Sequence, residues 1–176
     1  MAIFIKKLKA MSIKNLTEDD ARKKIKELAE DIDFCMLATN IGAKPVDVIP
    51  MSTKKVDEAG NIYFLSGADS EHNANIKHDS FVQLIYSKPG NMEFLSIYAD
   101  AAISQDKALI EELYGKTDDT YFDGVNDPNV TVLKVTPLQA RYWEPKNNKF
   151  VTLFKMAKGA ITGEKEDIGE TGTLTV

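Results

Sequence analysis

Arginine is nearly absent from this sequence: Arg22 and Arg141 are the only two in 176 residues. Nucleic-acid recognition needs clustered Lys and Arg, and the formal net charge here is −5. Neither nucleic acid nor an anionic membrane surface is therefore an expected partner. Cysteine is scarcer still. Cys35 stands alone inside the apolar run Phe34-Cys-Met-Leu-Ala38, which rules out an intrachain disulfide and fits a reducing, cytoplasmic setting. A lone thiol in such a run reads as a small buried hydrophobe, and no partner base suggests a nucleophile. The two histidines, His72 and His78, are six residues apart. On a helix that spacing turns about 600°, so they share no face and do not begin a metal site. The Gly-x-Gly-x-x-Gly, P-loop and Gly-x-Ser-x-Gly fingerprints are all missing. No apolar run approaches a membrane span, and the basic start lacks the apolar centre and cleavage site of a signal peptide. Nothing here proposes a catalytic side chain, so if this is an enzyme a cofactor must supply the reactive atom.

What is present is an ordinary globular composition, 43% hydrophobic and 28% charged, at a length that suits one domain. Residues 1–15 read as an N-terminal extension, 16–158 as the domain, and 159–176 as a Gly-, Thr- and acid-rich tail expected to be mobile. Thr17-Glu-Asp-Asp-Ala21 resembles a helix start, and Ala21, Ile25, Leu28 and Ile32 recur on one face of a helix ending near Asp31. Strands are expected at 34–39, 45–56 (broken near Pro50), 62–66, 81–87, 92–104, 130–135, 138–143 and 150–156. Turns at 57–61 and 88–91 and a short helix at 106–114 join them. The polar stretch 115–129 holds an apolar pair, Tyr121-Phe122, that should cover something. Many strands are apolar on both faces and βαβ alternation is absent. That pattern predicts a mainly β (α+β) protein, a small closed or nearly closed barrel with peripheral helices, covered by helices or a second subunit.

One segment carries chemistry: Ile62-Tyr-Phe-Leu-Ser-Gly-Ala-Asp-Ser-Glu-His-Asn73. A short strand enters a small polar loop, and a helical turn with Ser70 as N-cap follows. Unpaired amides at such a turn seat phosphates, and the Ser66 and Ser70 hydroxyls and the His72 imidazole would add donors. The same pattern also fits an ordinary strand-to-helix turn. Trp143, at a strand end, would either stack on a planar ligand or seal the core.

Taken in order, Phe34–Thr39, Pro45 through Pro50-Met51, Ile62–Ser66 with Ser70-Glu-His72, Phe81–Tyr86, Asp106–Tyr114, and Val135-Thr-Pro137 with Tyr142-Trp143 resemble the pyridoxamine-5'-phosphate-oxidase-like split barrels, in their general-stress-protein branch. The resemblance implies a six-stranded split β-barrel forming a homodimer, with flavin mononucleotide (FMN) at the subunit interface. It implies that Ile49, Met51 and Ser52 line the cofactor. It further implies that Ser66, Ser70, His72 and the adjoining Asn73 hold its phosphate, and that Trp143 of the partner borders its ring. The implied function is an FMN-binding flavoprotein oxidoreductase using a nicotinamide donor or a small-molecule redox substrate. The alternative is a non-catalytic, stress-related flavin or small-ligand binder. Many relatives carry Arg where Ile49 stands and Lys where His72 stands, so weaker phosphate binding is expected here.

Overall fold

The structure is a computed structural model that describes residues 11–146, 149–162 and 167–176. In chain order it contains β1 (Met11–Ile13), β2 (Leu16–Thr17), α1 (Glu18–Ile32), β3 (Phe34–Thr39), β4 (Asp47–Ser52), β5 (Lys55–Val56), β6 (Ile62–Gly67) and α2 (Glu71–His78). These are followed by β7 (Phe81–Lys88), β8 (Glu93–Ser104), α3 (Lys107–Leu113), a 3-10 turn (Lys116–Thr120), β9 (Val130–Pro145), α4 (Lys149–Thr162) and β10 (Gly169–Thr175). The protein is mainly β, with helices at the margins.

α1 forms as its periodicity predicts. Ala21, Ile25, Leu28 and Ala29 are buried, and three acids in the first turn complement the positive end of the helix dipole. Asp33, at φ 67, then turns the chain into β3, and its N–H bonds Ala29 O.

The main sheet runs β1-β10-β9-β8-β7-β3-β4. β9 organises it. One edge of β9 pairs with β8 along most of its length. The other edge is shared: Val130–Val135 pair with β6, and Ala140–Pro145 pair with β10. β5 pairs with β6, while β4 pairs with β3. Between β4 and β5, Thr53 N–H bonds Asp33 O and Lys54 N–H bonds Tyr63 O, so the chain changes neighbours there. The barrel wraps round but does not close, and β4 is left with a free edge. The 45–56 strand thus breaks at Thr53-Lys54, not at Pro50. Pro50 sits within β4 opposite Met36, where an edge strand tolerates a missing donor.

Three further expectations are corrected. Residues 130–145 form one strand, not two, because a register irregularity beside Tyr98 and Ala99 absorbs Pro137. Residues 150–156 are helical, not a strand. Beside Ala140–Pro145 the sheet position is taken by β10, so 150–156 has no ladder partner, and a helix satisfies its backbone internally. Finally, 169–175 is not a mobile tail but an inner strand. It lies between β9 and β1, and Leu174 is fully buried. β1, set apart with the extension on sequence grounds, pairs parallel with it.

The main core gathers Leu37, Phe64, Leu84, Tyr86, Ile97 and Tyr142, all fully buried. A smaller cluster under α3 joins Ile110, Leu113, Val130 and Val132, with Leu65 and Phe122 packed against it. That cluster holds the 115–125 segment against the barrel. Among the described residues no helix is long and apolar enough to cross a membrane.

Glycine in β10 serves close approach. A Cβ on Gly172 would lie 1.9 Å from Lys14 O. We predict that Gly172→Ala lowers stability by about 1–3 kcal/mol or more, the usual scale of overpacking. Urea unfolding measures this, and a midpoint equal to that of the parent would remove β10 from its place beside β9.

Candidate functional site

Where the barrel splits, a groove of about 810 Å3 opens. Ile49, Met51 and Ser52 of β4 form one wall, and Leu65, Ser66, Gly67 and His72 form the other. The 115–125 segment borders it, with Asp118, Tyr121 and Phe122 contributing to the lining; of the apolar pair expected to act as a cover, Phe122 packs against the smaller cluster while Tyr121 is 80% exposed.

That segment is fastened by an ion pair. Lys54 Nζ donates to both oxygens of Asp118, at 2.6 and 2.8 Å. Both side chains are largely removed from water, at 17% and 9% exposure, and Asp118 also accepts the Gly115 N–H at 2.8 Å. Breaking such a pair would leave a charge buried without compensation. Sequence reading missed Lys54, Asp118 and Asn129 as groove residues. No local pattern marks them, because a separation of 64 residues between the ion-pair partners leaves no short-range spacing to detect.

The β6–α2 turn is built as read, yet most of its donors are already spent. Ser70 caps α2 by accepting Asn73 N–H at 3.3 Å, and its own hydroxyl donates to Gly67 O at 2.7 Å. That hydroxyl has one proton, so the 3.1 Å contact with His72 Nε2 is a bond donated by the histidine. Nδ1 of His72 is then an acceptor in the neutral ring. Burial pushes the His72 pKa below its ordinary value, which favours that neutral ring. The Ser66 hydroxyl donates to Asn73 Oδ1 at 2.9 Å, and Ser52 donates to Asp33 at 3.3 Å. The loop amides follow suit. Ala68 N–H bonds Asn129 O, Asp69 N–H bonds Asn129 Oδ1, and Ser70 N–H bonds Gly67 O. From Ala68 to Asn73, the amides of Glu71 and His72, which begin α2, are those left for a ligand. The expectation that Ser66, Ser70 and His72 add three outward side-chain donors is corrected accordingly. A six-residue turn this tight must satisfy its own polar groups first.

The sequence-predicted residues divide cleanly. Ile49, Met51, Ser52, Ser66 and His72 meet at the groove. Ser70 stands behind His72 as cap and acceptor. Asn73 is fully buried, and its amide nitrogen donates to Thr131 at 3.0 Å, so its role is to brace the turn. Trp143 lies opposite Phe94 on β8 and lines a separate apolar pocket of about 260 Å3 with Met11, Met92 and Met156. Within one subunit it does not reach the groove. Cys35 is buried, and that burial pushes its thiol up to about 12, which disfavours the thiolate. Among the described residues no group of three or more His, Cys, Asp or Glu side chains is placed to hold a metal ion.

The His72 environment has a consequence for stability. About one pH unit or more above 6.5 the ring is neutral in both folded and unfolded chains. Below that, the unfolded chain takes the proton first, so acidification costs stability until the folded-state value is passed. Urea midpoints measured between about pH 7 and about pH 5 should fall more in the parent than in His72→Gln. Parallel curves would mean that the ring is not shielded as described.

The sequence matches the family described as pyridoxamine 5'-phosphate oxidase like over residues 20–167. No curated protein matches it. Among solved structures, a general stress protein 26 assignment from Jannaschia sp. CCS1 superposes with a TM-score of 0.73 at 25% identity, covering 89% of this chain and 98% of that one. A pyridoxamine 5'-phosphate oxidase-related, FMN binding protein from Nostoc punctiforme superposes at 0.53 with 14% identity, over 71% and 81% of the two chains. A heme binding protein from Mycobacterium smegmatis superposes at 0.54 with 14% identity, over 69% and 53%. The last two likenesses are of fold. With a family match spanning most of its length and a split, mainly β sheet, the chain belongs to the pyridoxamine 5'-phosphate oxidase like family.

Proposed function

We propose that this protein is a homodimeric flavoprotein, with the ring of FMN or a close flavin relative seated in the groove. We further propose that it acts as an oxidoreductase on a small redox substrate, with reduced nicotinamide as donor. The observation that carries this reading is the convergence of Ile49, Met51 and Ser52 with Ser66 and His72 around one groove. Family membership, and a fold shared with an FMN binding protein, support the ligand.

A planar ring suits the walls. Ile49, Met51, Leu65 and Phe122 offer apolar surface to stack on and exclude water. The flavin, when bound, supplies the two-electron chemistry. The chain's part is to bind, orient and dehydrate, since His72 is held towards neutrality and Cys35 is sealed in the core. The phosphate end fits less well, because the groove's one lysine is already paired with Asp118.

The dimer is supported by an uncovered sheet face. Phe34, Met36, Val48 and Ile85 are 60%, 42%, 44% and 48% exposed. Register places them on one face: Met36 lies opposite both Pro50 and Ile85, and Ala38 opposite Val48. Contiguous apolar surface of this kind marks an interaction site. Phe34 and Pro50 also line the groove, so a second copy on this face would complete its wall.

A second reading, binding without turnover, is favoured by the lack of a poised acid or base in the groove. One experiment separates them. Purified protein is titrated with FMN, and flavin fluorescence is followed; NADH and NADPH are then added without oxygen. Quenching followed by bleaching of the flavin band supports the oxidoreductase. Quenching without bleaching supports the binder. No quenching overturns both. Ile85→Glu should convert the dimer to monomer in light scattering and weaken flavin binding at least tenfold, about 1.4 kcal/mol.

A further inference from the structure

The groove's charge is wrong for a phosphate, and its uncharged groups are right for something else. Its lining contains two carboxylates, Asp33 and Asp118, against one ammonium, Lys54. Lys54 is not available to a ligand without unpairing Asp118, which is 9% exposed. The three nearby serine hydroxyls donate inward: Ser52 to Asp33, Ser66 to Asn73 and Ser70 to Gly67 O. The Ala68, Asp69 and Ser70 amides are committed as well. Two first-turn amides of an eight-residue helix are thin compensation for desolvating a dianion beside excess carboxylate. Uncharged polar groups remain at the same end. Thr117, Thr120 and Asn129 line the groove, and the Asn129 side-chain oxygen accepts the Asp69 N–H.

Resting on the flavin reading above, we infer that this groove selects the dephosphorylated flavin: riboflavin, with its neutral ribityl chain, is preferred to FMN. The Lys54–Asp118 pair sets the preference. It removes from the groove the cation that would otherwise meet a phosphate, and spends it on holding the 3-10 turn in place. Thr117, Thr120 and Asn129 are suited to ribityl hydroxyls, which exchange hydrogen bonds without a net charge to neutralise. His72, with Nδ1 as an acceptor, repels a phosphate oxygen and accepts from a hydroxyl.

The test compares riboflavin and FMN on the full chain by fluorescence quenching, at low and high salt. Riboflavin should bind at least as tightly as FMN. FMN binding should strengthen with salt as repulsion is screened, while riboflavin stays flat. Asp118→Asn keeps an oxygen for the Gly115 N–H but releases the charge of Lys54, and should shift the ratio of dissociation constants towards FMN about tenfold. Ile49→Arg should shift it in the same direction without touching the turn. FMN binding tenfold tighter than riboflavin, or weakening with salt, overturns the preference while leaving a flavin site standing. A ratio unmoved by both variants overturns the role of the ion pair and the groove charge. If neither flavin is quenched, the flavin reading falls and this inference falls with it.

Discussion

A single edge of β9 serves two partners in succession, and the architecture follows from that division. β6 occupies its first half and β10 its second, while β8 runs along the other side. Because β6 is carried on β9 and β4 on β3, the two strands are held near one another without pairing. The gap between them is the groove. A closed barrel of the same strands would fill that space with ladder hydrogen bonds and core side chains, and no ligand could lie along β4.

The groove combines an accommodating apolar half with an austere polar half. Met51 belongs to the main core, and Leu65 packs against the smaller cluster while its strand neighbour Phe64 is held in the main one, so their positions are set by packing. At the polar end, by contrast, the turn after β6 uses its serines and amides to hold its own shape. Asn73 is the keystone, joining Ser66 to Thr131 from full burial. The cost of leaving any of these groups unpaired explains why so few are left to face outward.

The segment bordering the groove depends on long-range electrostatics where the walls depend on packing. The 3-10 turn is too short to be stable alone, and Lys54, reaching from the β4–β5 break, ties its Asp118 to the barrel. Phe122 adds apolar contact with the α3 cluster.

Much of this was legible along the chain. The period of α1, the turn at Asp57–Asn61, the Ser70 cap and the meeting of strand and helix at Ser66–His72 are all local features, encoded within a few residues. The resemblance over the 16–143 region pointed to the split barrel and to β4 as a groove wall. Elements whose state depends on a distant neighbour were misread. Residues 150–156 carry an apolar run that suits either state, and became helix because β10 claims the available edge. Gly169–Thr175 looks like a flexible tail until Gly172 is seen pressed against Lys14. The sequence by itself determined where turns, caps and apolar faces fall, since those rest on backbone and side-chain preferences of adjacent residues. Only the tertiary structure decided which donors remain free and which charges are cancelled, because hydrogen bonds and ion pairs such as Ser70 with Gly67 and Lys54 with Asp118 are settled by distance in space.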